Sequence, residues 1–383
     1  MKTIFIFTDI GFSKRDYIRF GIEDLEKFSN VYVLDLTAYF QKKFSNYNKE
    51  EIYKYKNYTV IKSINECKDF IKKKKCNYSI DYMNNNDYAF QVTEELKNYG
   101  VKQIYIQNGL APNNNRTFKE YFLRAIGLLS NPIVLIKKIF FFTRNRYIDR
   151  KLKKINFEYL IISGTAGMQD FRKKTSKNIL FGHSFDYEKF LNSKKKIKYT
   201  KKYFVFLDQY LPFHPGYIQR GEKPEVTAEK YYPAMNNLFS YLEKKFNIEV
   251  IIASHPRADY SSRNNFFGDR EIIKSDSMKL VENSISVLTH YSSSISYAII
   301  YNKPIIFLNS NEIIKSFIDF YINNISRELG STLINIDQYQ QDKKRENLLI
   351  IDKSKYQLYF DRYIKHPESS NFSNWKTLEN NLR

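Results

Sequence analysis

Short apolar runs alternate with longer amphipathic segments along the whole chain. In the first half, the runs that predict buried strands are TIFIF (3–7), VYVLDL (31–36), TVIKSI (59–64), QIYIQ (103–107) and YLIISG (159–164). In the second half, they are YFVFLD (203–208), EVIIASH (249–255), REIIK (270–274), ISVLTH (285–290) and PIIFLN (304–309). Strands separated by helices predict parallel sheets covered on both faces, which is an α/β fold with two doubly wound, Rossmann-like domains.

The helical segments and one basic run suggest how the domains divide. Helices are predicted over 226–246, 277–284 and 294–302. The run SKKKIKYTKK (193–202) lies between two apolar regions and is typical of an interdomain connector. We therefore expect a first domain over 1–195, a second domain over 203–310, and a polar tail over 311–383 that crosses back to the first domain.

Composition excludes several classes of protein. The chain has 383 residues, of which 43% are hydrophobic, so it can bury a sizeable core. Its two cysteines, Cys67 and Cys76, are too few for a disulfide framework or a cysteine-based zinc site, which favours a cytoplasmic location. The start has no signal-peptide pattern, and no uncharged apolar run is long enough to span a membrane. No glycine-rich dinucleotide fingerprint or P-loop occurs.

The net charge of +21 has two interpretations. A partner rich in phosphate or anionic lipid would explain it. Codon bias would explain it equally, because Lys, Asn, Ile, Tyr and Phe all have AT-rich codons. A basic nucleic-acid-binding protein stays open as an alternative of another class, since 32 tyrosines are available for base stacking. However, no known nucleic-acid-binding motif is present, so we expect no nucleic-acid partner.

One strongly apolar segment has basic flanks. Residues 121–143 contain Pro132 and are bounded by Lys and Arg on both sides, over 116–154. A pair of buried helices broken at the proline explains this pattern. The alternative is an interfacial element on an anionic membrane surface, which would make the protein peripheral to the inner face of the cytoplasmic membrane.

Two histidines of the second half follow predicted strands. His255 precedes a proline, which forces an extended backbone, and it ends the strand EVIIAS. His290 ends the strand ISVLT. Because open α/β sheets bind ligands at the carboxyl ends of their strands, both histidines are candidates for contact with a ligand.

A run of serines follows His290 and leads into a predicted helix. Tyr291, Ser292, Ser293 and Ser294 offer hydroxyl donors next to the amides of a helix start, which suits a phosphate, although simple helix capping needs one serine alone. No D-x-D motif and no histidine–carboxylate cluster with ligand spacing is present. We therefore expect no metal and no cofactor, and a phosphate stabilised by protein donors.

These residues resemble a known family. The stretches ASHPR (253–257) and SVLTHYSSSISYAIIYNKPIIFL (286–308) are similar to the second domain of metal-independent glycosyltransferases with the GT-B fold, in which two Rossmann-like domains face a central cleft. Bacterial sialyltransferases and capsule-type transferases of acidic sugars carry such His-Pro and serine motifs. CDP-glycerol glycerophosphotransferases share a similar Y-S-S…K-P-I-I-F stretch. The resemblance covers roughly 203–310.

The resemblance implies roles for particular residues. His255 and Ser292–Ser294 would hold the donor phosphate, and Lys303 and Pro304 would shape the adjoining strand. The remaining donor-binding candidates are Pro256, Arg257, His290 and Tyr291. The strand-end stretch FLDQYLPFHP (206–215) would face the cleft through Asp208, Gln209, Pro212 and His214.

The sequence departs from the family at one motif. Sialyltransferases of this kind carry an acidic-acidic-Gly motif whose carboxylate is the general base, whereas this chain has Gln107, Asn108 and Gly109. An amide cannot accept a proton from a hydroxyl, so the base must lie elsewhere. The alternatives are Asp9 and Asp16 near Gly11, Asp186, and His183.

The function implied is an inverting, metal-independent glycosyltransferase. It would move an acidic sugar (sialic, nonulosonic or Kdo-like) from a CMP-activated donor to a glycan or lipid-linked glycan of a capsule or lipopolysaccharide. A CDP-glycerol-type polyol-phosphate transferase is the nearest alternative, because the same phosphate-binding elements would serve it.

Overall fold

The chain folds into two units, each built on its own parallel sheet. The computed structural model describes residues 1–9, 11–40, 52–83, 87–107, 110, 112, 143, 146–147, 150–151, 153–193, 201–220, 223–260, 265–274, 277–341 and 348–382. Unit 1 comprises Met1–Asn108, Asn113–His183 and His366–Arg383. Unit 2 comprises Gly109–Pro112 and Ser184–Lys365. None of the helices among the described residues is both long and apolar enough to cross a bilayer.

Unit 1 contains a seven-stranded sheet in the order β3-β2-β1-β4-β5-β6-β7, with every pair parallel. Its strands are β1 (Lys2–Thr8), β2 (Ser29–Asp35), β3 (Tyr58–Val60), β4 (Tyr78–Asp81), β5 (Lys102–Ile106), β6 (Phe157–Ile162) and β7 (Ser176–Phe181). Its described helices up to β6 are α1 (Lys14–Arg19), α2 (Ile22–Glu26), α3 (Thr37–Phe40), α4 (Ile64–Lys74) and α5 (Asp87–Asn98). Two 3-10 turns follow β6, at Thr165–Gln169 and Phe171–Thr175.

The core of unit 1 lies between the first strands and the helices α4 and α5. Phe5 and Phe7 of β1 and Leu34 of β2 are fully buried and pack in one cluster with apolar residues of both helices. Cys67 belongs to this cluster and is a free thiol. Burial raises the pKa of the Cys67 thiol to about 12, so Cys67 acts as a small apolar residue.

Unit 2 contains a six-stranded sheet in the order β10-β9-β8-β11-β12-β13, again with every pair parallel. Its strands are β8 (Tyr203–Leu207), β9 (Glu249–Ser254), β10 (Ile272–Lys274), β11 (Ser286–Thr289), β12 (Ile305–Asn309) and β13 (Thr332–Asn335). Its described helices are α6 (Phe185–Leu191), α7 (Pro215–Arg220), α8 (Ala228–Phe246), α9 (Ser277–Asn283), α10 (Ile295–Ile300), α11 (Phe317–Leu329) and α12 (Lys353–Tyr359). A π-helical turn, Phe360–Ile364, continues α12, and 3-10 turns lie at Leu211–Phe213, Ile313–Lys315 and Tyr339–Gln341.

The predicted α/β class with doubly wound sheets is confirmed, and the errors fall on short or edge strands. The strands β4, β7 and β13 are not marked by an apolar run. β4 has only four residues, while β7 and β13 lie at sheet edges and carry polar residues. An edge strand is only partly covered, so its sequence lacks the continuous apolar run of a central strand. The predicted strand 59–64 ends early, because Ile64 begins α4.

The two units do not coincide with the predicted domain bounds. Unit 1 reaches His183 rather than residue 195, and α6 belongs to unit 2. The region over 311–365, predicted as part of a tail, contributes β13, α11 and α12 to unit 2, and the segment from His366 onward belongs to unit 1. Most of the basic run over 193–202 lies outside the described residues.

The returning segment is anchored in unit 1 by one helix, α13 (Asn374–Leu382). The Asn374 side chain accepts a hydrogen bond from the His183 backbone N–H (3.1 Å) and donates one to the His183 carbonyl (2.7 Å). Trp375 is 1% exposed and packs over Gly21, which has a left-handed backbone (φ +61°). A Cβ atom at Gly21 would lie 2.1 Å from two atoms of the Trp375 ring, so only glycine fits beneath it.

We expect Gly21→Ala to destabilise unit 1 more than Gly100→Ala. Both glycines have a positive φ, but a Cβ atom at Gly100 would have no neighbour within 4 Å. Gly100→Ala should therefore cost about 1–2 kcal/mol for the backbone alone, whereas Gly21→Ala adds roughly 1–3 kcal/mol of overpacking against Trp375. Because Trp375 is the single tryptophan, its fluorescence during urea unfolding reports this contact. Equal costs for the two variants would contradict the packing argument.

Candidate functional site

The candidate site of unit 2 lies where the strand order reverses. The chain runs from β8 outward to β9 and β10, then crosses to β11 on the other side of β8. Leu207, the last residue of β8, pairs with both Ala253 of β9 and Thr289, the last residue of β11. The three strand ends are therefore level. The carboxyl edge at such a reversal is where open α/β sheets bind ligands.

Asp208 and Gln209 at the end of β8 connect the neighbouring strand ends. Asp208 is buried and accepts hydrogen bonds from the Tyr210 backbone N–H (2.8 Å), the Tyr260 hydroxyl (2.7 Å) and the His255 backbone N–H (3.5 Å). Gln209 Oε1 accepts a hydrogen bond from the Tyr291 backbone N–H (2.9 Å). Burial raises the pKa of Asp208, while the donors from Tyr210, Tyr260 and His255 oppose this shift. These contacts make Asp208 a residue that orders the loop carrying His255.

Two predicted histidines are neighbours in this unit. The rings of His214 and His255 lie edge to face, with centroids 4.9 Å apart. Nδ1 of His214 accepts the Gly216 backbone N–H (3.0 Å), and Nδ1 of His255 accepts the Arg257 backbone N–H (3.2 Å). In a neutral imidazole whose Nδ1 accepts, Nε2 carries the proton. Both histidines are half-buried, and an N–H donor on Nε2 is of the kind that binds phosphate oxygens.

The residues around this pair differ in their exposure. Pro256 is exposed and Arg257 is half-buried, whereas Pro212 is buried in the 3-10 turn before His214. Tyr210 stands in a left-handed conformation (φ +54°), which turns the chain sharply after Gln209. Its ring packs against Tyr260, with centroids 5.2 Å apart.

The serine run starts α10 by a different arrangement from the predicted cap. Ser294 is the N-cap residue, but its side chain makes no capping hydrogen bond. Instead, Ser292 Oγ accepts the Ser294 backbone N–H (3.3 Å). Ser293 is exposed, while Tyr291, Ser292 and Ser294 are half-buried. The run therefore lies at the same sheet edge as the histidine pair, with the strand end of β8 between them.

His290 is part of the core, which corrects its assignment as a contact to the donor. It is fully buried, its Nδ1 lies 2.8 Å from the Leu308 carbonyl, and its Nε2 lies 2.8 Å from the Tyr231 hydroxyl. The carbonyl can only accept, so Nδ1 donates to it and Nε2 accepts from the tyrosine. Burial lowers the pKa of His290 from 6.5 to about 4, so the ring is neutral at pH 7. This neutral form stabilises the fold above pH 6.5, and the contribution is lost as the pH falls towards 4.

The structure gives the contacts or the position of three of the four predicted candidates for the general base: Asp16, His183 and Asp186. Asp16 forms a capping box with Ser13 at the start of α1. His183 is fully buried, and its Nε2 lies 3.2 Å from the Phe372 carbonyl. Both residues thus make structural contacts within unit 1, and their assignment as the general base stays a prediction. Asp186 lies in the first turn of α6, which belongs to unit 2 rather than to the first domain.

Asp9 remains a candidate for the general base. It follows β1 and is buried near the reversal of strand order in unit 1, between β1 and β4. Gly11 is buried two residues later with φ +85°, and its N–H donates to Thr37 Oγ1 (2.9 Å). Gly11 therefore shapes the turn that follows Asp9. Asn108 and Gly109 lie outside the described residues, as does most of the basic segment over 116–154.

Gln107, which the sequence predicts as a cleft residue, belongs to a polar cluster at this edge of unit 1 whose other members the sequence missed. Asp81 ends β4, and Gln107 follows β5. The amide of Gln107 donates to Asp170 Oδ2 (3.0 Å), and Arg172 pairs with the same carboxylate (3.1 Å). Arg172 also lies over the ring of Tyr105, 4.0 Å from its centroid. Within the described residues, no group of three or more His, Cys, Asp or Glu side chains is arranged to hold a metal ion.

Comparison with known proteins finds likeness in structure alone. No protein-family model matches this chain, and no curated protein matches it in sequence. Among solved structures, the chain is similar to S. aureus MnaA in its complex with UDP, at 14% identity and a TM-score of 0.54, over 100% of this chain and 96% of that one.

Two further structures are similar over most of their length. The wall teichoic acid polymerase TagF, soaked with CDPG, aligns at 12% identity and a TM-score of 0.51, over 99% of this chain and 87% of that one. The calicheamicin glycosyltransferase CalG4 aligns at 10% identity and a TM-score of 0.50, over 94% of this chain and 93% of that one. Likeness at such low identity shows the fold, which is of the GT-B class with two Rossmann-like units.

We expect His290→Ala and His255→Ala to differ in their effect on stability. The first change leaves a cavity and removes the partner of both the Tyr231 hydroxyl and the Leu308 carbonyl, so it should cost about 2–5 kcal/mol. The second removes a half-buried ring and should cost under about 1 kcal/mol. Urea unfolding followed by circular dichroism measures both costs. A larger loss in His255→Ala would contradict the assignment of His290 to the core.

Proposed function

We propose that the protein is a glycosyltransferase whose unit 2 binds the phosphate of a nucleotide-activated sugar. The observation that supports this most is the His214–His255 pair, which stands beside three level strand ends at the reversal of strand order. Two N–H donors, the Arg257 guanidinium and the serine hydroxyls supply enough donors for one phosphate group. The GT-B fold agrees with this proposal, since its likenesses include CalG4, a glycosyltransferase by name.

The reaction we propose is a single displacement with inversion at the anomeric carbon. The acceptor hydroxyl attacks this carbon, and the bond to the donor phosphate breaks. His255, aided by His214, stabilises the negative charge that grows on the phosphate. Ser292–Ser294 add hydroxyl donors from the other side of the β8 strand end. The protein donors carry out this stabilisation in our proposal, so chelation of divalent metal should leave the rate unchanged.

The donor we favour is a CMP-activated acidic sugar, on the strength of the His-Pro and serine motifs. The acceptor would be a surface glycan, or a lipid-linked glycan reached at an anionic membrane surface through the basic segment over 116–154. A CDP-polyol donor is the second candidate, and the likeness to TagF, a polymerase whose structure was soaked with CDPG, supports it. Because S. aureus MnaA, whose structure is similar, was solved with UDP, UDP-sugars are the third class of donor that we would test.

A donor panel distinguishes these candidates. We expect CMP and CMP-sugars to raise the melting temperature of the protein, because a ligand that binds the folded state stabilises it by mass action. CDP-glycerol, UDP-sugars and a mixed oligonucleotide form the other arms of the panel. A response to CDP-glycerol alone would select the polyol-phosphate transferase. Failure of every nucleotide compound to bind would overturn the proposed function.

We expect His255→Ala to reduce transfer by roughly 10²–10³-fold, as removal of one donor to a developing anion does. His214→Ala should reduce it in the same direction. The matched control is His366→Ala, because His366 also precedes a proline and also accepts a backbone N–H at Nδ1 (3.2 Å, from Glu368), but it stacks on Phe181 in unit 1. Initial rates are compared at a temperature where all variants are folded. Equal losses in His366→Ala and His255→Ala would argue against a specific role for His255.

A further inference from the structure

Lysines concentrate at the edge of the unit 1 sheet where the strands begin. In a parallel sheet, a covering helix runs back from one strand to the start of the next, so its last turn lies at this edge. Lys72 and Lys73 lie in the last turn of α4, and Lys97 lies in the last turn of α5. Lys102 begins β5, and Lys154 lies shortly before β6. We call this surface, formed by the strand starts of unit 1 and the last turns of α4 and α5, the amino edge.

The ammonium groups of the amino edge meet few carboxylates. Lys73, Lys97 and Lys154 are exposed and have no ion pair among the residues that the structure describes. Glu158 of β6 lies at this edge, but it pairs with Lys177 (3.0 Å) and with the lysine that begins β5 (3.6 Å). Nearby acidic residues of α2 and α5 also have lysine partners: Asp24 with Lys27, Glu26 with Lys56, and Glu95 with Lys68. The amino edge therefore keeps an excess of positive charge.

The corresponding edge of unit 2 has a mixed charge. Lys244 lies in the last turn of α8, but Glu249 begins β9 and Glu271 directly precedes β10. Glu282 and Glu328 lie in the last turns of α9 and α11. The attraction of lysine to the carboxyl ends of helices, like any bias of composition, acts on both units alike. These general causes therefore do not explain why the amino edge of unit 1 is basic.

Unit 1 also separates its charges along the direction of its strands. Asp35 ends β2, Asp81 ends β4, and Asp9 follows β1, all at the carboxyl edge of the sheet. The lysines of the amino edge lie at the other end of the same strands. An extended anionic surface attracts the amino edge and repels the carboxyl edge, so it would hold unit 1 in one orientation.

The shape of the amino edge favours a broad, flat partner. Its lysines are spread over the starts of neighbouring strands, β1 and β4 to β7, from Lys2 to Lys177. With about 4.8 Å between strands, they cover a width of roughly 20 Å. A lysine ammonium group is a point charge, without the fork geometry by which arginine recognises a single phosphate. Spread point charges suit the many headgroups of a lipid surface.

Two tyrosines at this edge lie beneath lysines. Lys72 Nζ lies 5.5 Å from the centroid of the Tyr99 ring, and Lys102 Nζ lies 5.8 Å from the centroid of the Tyr78 ring. Such contacts stabilise the ammonium groups at the surface. Single-stranded nucleic acids, in contrast, stack their bases on open aromatic faces. Tyr78 is buried, so these contacts favour a lipid surface over a nucleic acid as the partner.

We propose that the amino edge of unit 1 binds the surface of an anionic membrane. The basic segment over 116–154, which the sequence predicts as an interfacial element, ends at this edge with Lys153 and Lys154. The proposal adds the ends of α4 and α5 and the starts of the strands to the membrane contact, and it directs the carboxyl edge of unit 1 away from the lipid. It does not depend on the proposed transfer reaction, because it requires no donor and no site between the units.

Co-sedimentation with lipid vesicles tests this proposal. We expect the wild type to bind vesicles of phosphatidylcholine mixed with phosphatidylglycerol, and not vesicles of phosphatidylcholine alone. Added salt should weaken this binding, because it screens the charges. The triple variant Lys73→Gln, Lys97→Gln, Lys154→Gln should bind the mixed vesicles roughly 10²-fold less tightly, since each lysine near an anionic leaflet contributes about fivefold.

The matched control is the triple variant Lys201→Gln, Lys202→Gln, Lys244→Gln. These lysines are also exposed and also lie at a strand start or in the last turn of a helix, but they belong to unit 2. The control removes the same charge from the protein, so its affinity for the mixed vesicles should stay within a few-fold of the wild type. Melting temperatures show whether all variants are folded. If the unit 1 triple variant unfolds, its single substitutions, each expected to cost about fivefold, provide the same test.

Three results would overturn the proposal. Failure of the wild type to bind the mixed vesicles would remove the membrane as the partner. Equal losses in the two triple variants would show that net charge alone drives binding, and wild-type binding in the unit 1 variant would exclude the amino edge. A single-stranded oligonucleotide and an acidic polysaccharide are the competing arms. Tighter binding of either polymer than of the mixed vesicles, with the same loss in the unit 1 variant, would make that polymer the partner instead.

Discussion

The candidate site of unit 2 depends on how two consecutive residues at the end of β8 are bonded. Asp208 accepts the backbone N–H of His255 after β9, and Gln209 accepts the backbone N–H of Tyr291 after β11. These two side-chain bonds link the end of β8 to the residues that directly follow its neighbours β9 and β11. Because the Tyr260 hydroxyl also donates to Asp208 and the Tyr210 hydroxyl donates to the Asp259 carbonyl, the loop after β9 is tied to the end of β8 at several points. His255 is therefore held at the sheet edge by hydrogen bonds from several residues.

The sequence could predict the sheets because their central strands are continuous apolar runs. β8, β9 and β12 each have five buried residues in succession, the pattern of a strand that is covered on both faces. The sequence could also predict the position of His255 directly after β9, because a proline after a buried strand favours an extended backbone for the residue before it and marks the end of the strand. These signals are local. The bounds of the two units and the strands β4, β7 and β13 depend on distant partners and were missed.

His290 shows where local reasoning fails. His255 and His290 both follow a buried strand directly, so the sequence treats them alike. The difference between them is made by Tyr231 of α8 and Leu308 of β12, which satisfy both ring nitrogens of His290 and keep it in the core. No residue near His290 in the sequence reveals these partners. Asp81 was missed for a related reason, since it lies beside the end of β1 through the pairing of β1 with β4, and β4 is too short to be recognised.

The carboxylates Asp208 and Asp81 lie at the strand-order reversals of the two units, on strands that do not correspond: Asp208 follows β8, which matches β1, whereas Asp81 ends β4, which matches β11. Asp208 of unit 2 accepts three hydrogen bonds from the protein, including the hydroxyl of Tyr260, so its lone pairs are used in holding the loops together. Asp81 of unit 1 accepts the Met83 N–H and has a negative neighbour in Asp9. Burial raises the pKa of both residues, but a saturated carboxylate gains little from taking up a proton and would lose its donors' alignment. Among the described residues, Asp81 therefore has fewer hydrogen-bond donors than Asp208, so less of its hydrogen-bonding capacity is used in holding loops together.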